Sequence, residues 1–317
     1  MHIGLTFILL TVSLILLVKG SDVFVSASTG IARNFKVSQL FIGLTIMAFG
    51  TSAPEAVIGI QAATSGTSIL AMGNIIGSNI FNLIFIIGFA AVITPIKIKF
   101  KDIAKDYAMA ILGPVLLLLM MVYFDVTIPR VGGILFLILF GIYLFQIIKQ
   151  TLRNREALAY TESYELTRPL KYHLLWAVLG IGAIIIGGEL TVHFAQEMAI
   201  SLGLSTRLVG LSIIAIGTSL PELFIVIMAA KQNVPELAIG NIIGSSIFNV
   251  LFVLGLTGTI APLPVDGILM VDLLFLLFGS LLLLIFIVIR KKITRVQGVV
   301  LMGFYLIYLI FMMSGAL

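Results

Sequence analysis

The chain has 317 residues, of which 60% are hydrophobic and only 10% are charged. A soluble globular domain carries about 25% charged residues, so this composition excludes that class and is typical of a polytopic membrane protein. The absence of cysteine excludes disulfides and thiolate metal sites.

Ten apolar stretches are long enough to cross a bilayer, which takes about 20 residues each. In chain order the predicted spans are 3–19, 38–63, 69–93, 107–123, 131–149, 173–190, 206–230, 237–260, 267–289 and 297–315. The first is predicted to be a retained helix rather than a signal peptide, because it has no basic start and further spans follow. The predicted fold class is an all-α polytopic membrane protein.

The loops between these spans differ strongly in charge. One alternating set of loops holds 17 of the 19 Lys and Arg residues, and the other holds only Arg130 and Arg207. Because basic loops stay on the cytoplasmic side, this split predicts a multi-pass protein of the cell membrane with both termini extracellular. It also assigns the net charge of +5 to loops rather than to a nucleic-acid surface.

The two halves of the chain repeat each other at an offset of 167 residues. The segment 49–55 aligns with 216–222, and 73–82 aligns with 240–249, with more than half of positions 43–88 identical to 210–255. Each half contains five predicted spans, so the second copy enters the membrane from the opposite side. We therefore predict ten transmembrane helices in two inverted five-helix repeats, an architecture usual in secondary transporters. Helices 1–5 form the first repeat over 1–149, residues 150–172 form a cytoplasmic linker, and helices 6–10 form the second repeat over 173–317.

Each repeat places a glutamate deep in a span, Glu55 in the first and Glu222 in the second, and these are the only acidic residues predicted at that depth. A carboxylate at that depth costs about 2.5 kcal/mol or more and usually marks an ion pathway. The preceding Pro54 and Pro221 remove a helical hydrogen bond and predict local unwinding. Transmembrane helices 2, 3, 7 and 8 are accordingly predicted to be broken.

Oxygen-bearing residues share a helical face with each glutamate. Ala48, Thr51, Ser52 and Glu55 follow the spacing i, i+3, i+4, i+7, and Ala215, Thr218, Ser219 and Glu222 repeat it. In the next spans, Ser78 and Asn82 lie four residues apart, as do Ser245 and Asn249. Carboxylates, hydroxyls and free carbonyls favour hard cations such as Ca²⁺ or Na⁺. Two carboxylates are neutralised by one Ca²⁺ or by two Na⁺, which is a physical basis for exchange.

At these motifs the chain resembles the cation/calcium exchanger superfamily, specifically the prokaryotic sodium/calcium exchangers, over nearly its whole length. The resemblance implies antiport of Na⁺ against Ca²⁺ by alternating access. It implies that Glu55 and Glu222 bind Ca²⁺ together with the backbone carbonyls of Thr51 and Thr218. The resemblance also implies further ligands for Na⁺ and the central site, namely Ala48, Ser52, Ser78, Asn82, Ala215, Ser219, Ser245 and Asn249. Some relatives carry Asp at one of the two Asn positions, and two Asn argue against co-transport of K⁺.

Two alternatives remain beside Na⁺/Ca²⁺ exchange: an H⁺/Ca²⁺ antiporter on the same scaffold, and a cation channel. An enzyme is not expected, because no paired Asp, His–metal set or Ser–His arrangement lies within the predicted spans. No cofactor and no protein partner are implied, so the expected partners are Ca²⁺, Na⁺ and the lipid bilayer. Asp22 and Glu189 correspond at the same offset near span ends, and they are predicted to be solvated helix ends rather than ligands.

Overall fold

The computed structural model describes residues 3–66, 68–97, 100–124, 127–161, 168–201, 217–264, 267–290 and 292–313. The chain divides into two compact units. The first unit comprises Met1–Pro54 and Thr151–Asn241, and the second comprises Glu55–Gln150 and Ile242–Leu317. Each unit therefore contains segments from both halves of the sequence.

Almost all of the described chain is helical. The helices are α1 (Ile3–Phe35), α2 (Gln39–Thr51), α3 (Ala53–Thr64), α4 (Ala71–Ile93), α5 (Phe100–Phe124), α6 (Arg130–Thr161), α7 (Leu170–Ser201), α8 (Leu220–Lys231), α9 (Pro235–Ile260), α10 (Gly267–Arg290) and α11 (Arg295–Met313). Within the described residues, eight are long and apolar enough to cross a membrane, and α2 with α3 form a bent ninth candidate. The predicted seventh span begins at residues 206–216, which lie outside the described part, so ten spans stay a prediction.

Helix α1 is much longer than the predicted span 3–19. It continues through Gly20, Ser21 and Asp22 and ends at Phe35. The polar residues do not interrupt it, because the hydroxyl of Ser21 donates to the carbonyl of Leu17 at 2.8 Å and thus stays within the helix. A helix of 33 residues is about 50 Å long, well beyond the ~30 Å hydrocarbon core. Similarly, α6 extends to Thr161 and α7 starts at Leu170, so the linker predicted over 150–172 is partly helical.

The prediction of broken helices is correct for helix 2, where α2 and α3 meet at a bend of 48°. It is wrong for helices 3 and 8. There the chain stays helical and passes through π-helical segments, Phe81–Ile86 in α4 and Phe248–Leu254 in α9. Neither segment contains proline, so a widened turn accommodates the extra residue without interrupting the helix. A third π-helical segment, Gly43–Met47, lies inside α2.

Glycines set the close helix crossings of the first unit. A Cβ at Gly187 would lie 2.7 Å from the backbone nitrogen of Leu17, and one at Gly180 would lie 2.9 Å from that of Phe24. Helices α7 and α1 therefore touch backbone to backbone. Small residues permit this approach, which gives dispersion contacts in lipid, where no hydrophobic driving force acts between helices.

The second unit is held by similar crossings and by two short strand pairs. The strands are β1 (Ile96–Lys97), β2 (Thr127–Ile128), β3 (Leu263–Pro264) and β4 (Lys292–Ile293), paired antiparallel as β1 with β4 and β2 with β3. Each pair joins the two halves of the sequence. Helices α4 and α11 cross at Gly88 and Gly298, where a Cβ on Gly88 would lie 2.9 Å from the facing carbonyl oxygen.

Candidate metal-ion site

The two repeated motifs adopt the same backbone geometry. Ser52 separates α2 from α3 with φ −87° and ψ 10°, and Ser219 precedes α8 with φ −96° and ψ 9°. These angles lie in the bridge region, which is frequent at active sites. Pro54 and Pro221 therefore occupy the first turn of a new helix, where a missing N–H costs little.

The two glutamates lie in the first turns of these new helices. Glu55 is in the first turn of α3 and Glu222 in the first turn of α8, and both are completely buried. The N-terminus of a helix carries a partial positive charge, which stabilises a nearby carboxylate. The interruption within each motif thus places a helix N-terminus, with its partial positive charge, beside the buried glutamate.

In the first unit, residues of the first motif contact residues of the second repeat. The hydroxyl of Ser52 donates to Oε1 of Glu222 at 3.3 Å, and the hydroxyl of Thr51 donates to Oδ1 of Asn241 at 3.3 Å. Glycines allow this approach: a Cβ on Gly240 would lie 2.6 Å from the carbonyl oxygen of Leu40. Helices α2 and α9 therefore meet through their backbones.

In the second unit, asparagines join α4 to α9. Asn79 donates through Nδ2 to the carbonyl of Ser246 at 3.2 Å, and its Oδ1 accepts from Nδ2 of Asn249 at 3.3 Å. This bond leaves Oδ1 of Asn249 without a hydrogen-bond partner among the described residues. The side-chain polar atoms of Ser78 and Asn82 are buried and lack a partner in the same part of the chain. Buried oxygen atoms that accept no hydrogen bond are suited to bind a cation.

The remaining predicted ligands differ in their surroundings. The carbonyl of Ala48 accepts from the backbone N–H of Ser52 at 3.1 Å, and its oxygen lies 3.4 Å from the hydroxyl oxygen of Thr51. Ser219 and Ser245 are buried, and Thr218 is half-buried. Ala215 lies outside the described residues.

Buried charge is exclusively acidic in the described part of the chain. It consists of Glu55, Glu222 and Asp272, and no Lys or Arg in that part is buried. Asp272 lies in α10 at 4% exposure and accepts a hydrogen bond from Tyr308. The expectation that two glutamates are the only deep acids is therefore wrong. Asp272 lies five residues after the first residue of the predicted span 267–289. A position so near the membrane surface gave no reason to predict a buried side chain.

Three polar residues at the site were missed as candidates. Asn241, Asn79 and Ser246 are fully buried and make the contacts between repeats described above. One signal was available: Asn241 aligns with Asn74 in the identical part of the repeat. No comparable signal marks Asn79, which aligns with a serine.

Several apolar helices and deeply buried carboxylates are typical of one class of protein, the membrane transporters. Residues 5–149 and 172–314 match the family described as sodium/calcium exchanger protein. The chain belongs to this sodium/calcium exchanger family.

Known proteins resemble this chain over almost its full length. The sodium/calcium exchanger MaX1 of Methanosarcina acetivorans is 32% identical over 353 residues, covering 97% of this chain and 98% of its own. A putative antiporter, CaxA of Alkalimonas amylolytica, is 36% identical over 309 residues, covering 95% and 96%. The structure is similar to the sodium-calcium exchanger NCX_Mj soaked with 2.5 mM Na⁺ and 10 mM Sr²⁺. The TM-score is 0.83 and the identity 32%, over 97% of this chain and 99% of that one.

Proposed function

We propose that this protein is a secondary active antiporter that exchanges Na⁺ for Ca²⁺ across the membrane by alternating access. The observation that carries the proposal is the bond between Ser52 of the first motif and Glu222 of the second, at 3.3 Å in a fully buried setting. Two motifs 167 residues apart meet at a carboxylate, as a shared cation site requires.

The proposed ligands are those that the family resemblance implies, and the chemistry of the buried atoms supports them. Ca²⁺ is bound by the carboxylates of Glu55 and Glu222 and by the backbone carbonyls of Thr51 and Thr218. Na⁺ uses these groups together with further oxygen atoms, those of Ala48, Ser52, Ser78, Asn82, Ala215, Ser219, Ser245 and Asn249. The unpartnered oxygen of Asn249 and the polar atoms of Ser78 and Asn82 support this set, because Ca²⁺ and Na⁺ prefer uncharged and anionic oxygen ligands.

Charge balance couples the two ions. The two glutamates are fully buried, and two ionised carboxylates carry a charge of about −2 into a low-dielectric interior, which is costly. One Ca²⁺ or two Na⁺ neutralises them equally well. A loaded site therefore passes between the two open states more easily than an empty one, and exit of one ion requires entry of the other.

The architecture that serves this mechanism has ten spans in two inverted repeats, 1–149 and 173–317, joined by the linker 150–172. Both termini are extracellular in this arrangement, because the basic loops then face the cytoplasm. The shared backbone angles of Ser52 and Ser219 support two equivalent half-sites. Equivalent halves provide two near-equivalent end states, one open to each side.

The test is ion flux in liposomes. Purified protein is reconstituted in vesicles loaded with Na⁺, and uptake of radioactive Ca²⁺ is measured on dilution into Na⁺-free medium. We expect rapid uptake that disappears when Na⁺ is equal on both sides. Uptake driven by a pH gradient without Na⁺ would instead establish H⁺/Ca²⁺ antiport, and single-channel current steps would establish a channel.

Substitution of the two buried glutamates tests whether their carboxylates bind Ca²⁺. Glu222→Gln and Glu55→Gln keep side-chain size but remove charge, so each is expected to abolish Ca²⁺ uptake while the protein still elutes as a folded species in detergent. Glu236→Gln is the matched control, because Glu236 is exposed at the start of α9. Normal exchange in both buried variants would contradict the site assignment.

A further inference from the structure

A separate pocket lies on the first unit, between α1 and α7. Its volume is about 440 Å³, and its lining includes Asp22, Arg33, Arg168 and Trp176. His173 forms part of the wall and occupies the notch beside Gly30, where a Cβ would overlap the imidazole. None of the proposed cation ligands lines this pocket.

The pocket is dominated by two guanidinium groups. Arg33 and Arg168 both line it, and neither forms an ion pair with a carboxylate in the described part of the chain. The guanidinium carbon of Arg168 lies 4.2 Å from the centroid of the Tyr172 ring, a cation–π contact. The one carboxylate in the lining, Asp22, accepts a hydrogen bond from Gln232 at 2.9 Å. A net positive pocket with two guanidinium groups favours a phosphate group, which Arg binds in a bidentate manner.

The surroundings of the pocket are those of a membrane interface. Tyr172 and Trp176 lie with ring centroids 6.0 Å apart, and such amphipathic rings concentrate at the level of lipid headgroups. Beyond them, α7 exposes Leu175, Val178 and Leu179, which share one helical face by their spacing. This apolar strip lies on the same helix as the lining residues Tyr172 and Trp176 and is suited to an acyl chain.

We propose that this pocket binds the headgroup phosphate of an anionic phospholipid, with the acyl chain lying along the exposed face of α7. Basic pockets between transmembrane helices recognise such headgroups. The bound lipid bridges α1 and α7, two helices that already touch at their glycines. The proposal does not depend on which ions the protein transports.

The protein carries its own reporter, because Trp176 is the single tryptophan of the chain and lines the pocket. The full-length protein in detergent micelles is titrated with dibrominated phosphatidylglycerol or dibrominated phosphatidylcholine, and quenching of tryptophan fluorescence is followed. An arginine near an anionic lipid contributes about a five-fold gain in affinity. We therefore expect phosphatidylglycerol to quench with an affinity about 25-fold higher than phosphatidylcholine.

The variant Arg33→Gln/Arg168→Gln is expected to lose this preference, and each single variant to keep about one five-fold step. Arg130→Gln/Arg295→Gln is the matched control, since it removes the same charge from exposed helix starts outside the pocket and keeps the full preference. Equal quenching by the two lipids in the unmodified protein would overturn the proposal, as would an unchanged preference in the Arg33→Gln/Arg168→Gln protein. Relief of quenching by millimolar inorganic phosphate would also overturn it, by assigning the pocket to a soluble anion.

Discussion

A single methyl group added at Gly240 tests how the candidate site is assembled. In Gly240→Ala the new Cβ would lie 2.6 Å from the carbonyl oxygen of Leu40 and 3.0 Å from the Cα of Gly43. Both are backbone atoms, so no side chain can rotate away to make room. An ordinary contact starts at 3.4 Å, and α2 must therefore move away from α9 by about 0.8 Å.

The displacement has a cost in stability and a cost in function. Overpacking of this kind costs about 1–3 kcal/mol, and the better helix propensity of alanine returns about 1 kcal/mol. The hydroxyl of Thr51 donates to Asn241 at 3.3 Å, so a shift of that size breaks the bond. Metal ligands must keep their distances to about 0.2 Å, and we expect a loss of Ca²⁺ affinity of at least ten-fold.

The matched control is Gly182→Ala in α7, a helix of the same unit. No atom of the described chain lies within 4 Å of a Cβ at Gly182, so only the propensity gain of up to about 1 kcal/mol applies. Thermal unfolding in detergent and uptake of Ca²⁺ into liposomes are measured for both variants. The melting temperature is expected to fall for Gly240→Ala and to stay level or rise for Gly182→Ala.

Equal melting temperatures and equal Ca²⁺ uptake in the two variants would refute a role of the contact at Gly240. Unchanged melting temperature and unchanged Ca²⁺ uptake in Gly240→Ala would mean that the backbone contact between α2 and α9 does not position the site. Loss of stability with normal uptake would separate packing from ion binding and would remove Thr51 from the proposed ligand set.

Three further outcomes are expected. Gln232→Ala lowers the melting temperature more than Asp22→Asn, because the Gln232 amide bonds to both the side-chain and main-chain oxygens of Asp22 and Asn keeps an acceptor; paired thermal melts in detergent decide this. Tyr107→Phe lowers the free energy of unfolding by about 1–2 kcal/mol, since its buried hydroxyl donates to Ser280 at 2.6 Å; thermal melts without ligand measure it. Ca²⁺ at 100 times its Kd stabilises the protein by about 2.7 kcal/mol, and Glu222→Gln abolishes that shift in calcium-dependent melts.

The membrane helices and the burial of two repeated glutamates were predictable from the sequence. A run of about 20 apolar residues has few alternatives to a membrane helix, and the described helices α4, α10 and α11 coincide with predicted spans within a few residues. The burial of Glu55 and Glu222 was predictable because the two residues align with each other within two repeated motifs. The break at Ser52 follows from Pro54, a local effect of backbone chemistry.

The form of the third and eighth helices was not predictable in the same way. Their π-helical segments around Asn82 and Asn249 contain no proline or glycine that would mark them in the sequence. A π-helical turn depends on which side chains the neighbouring helices accept. The continuation of α1 to Phe35 is similar, because Gly20 packs against Ala183 and acts as a crossing point rather than as a helix end.

By itself the sequence determined that this is a helical membrane protein with two copies of a glutamate motif, since hydropathy and identity in register depend on residues taken one at a time. Only the tertiary structure decided which atoms meet. Ser52 reaches Glu222, Asn79 reaches Asn249, and two arginines line one pocket with the single tryptophan. The residues of each pair are far apart in sequence. They meet because each helix has a particular rotation and crossing angle within its unit, and no local sequence pattern specifies these.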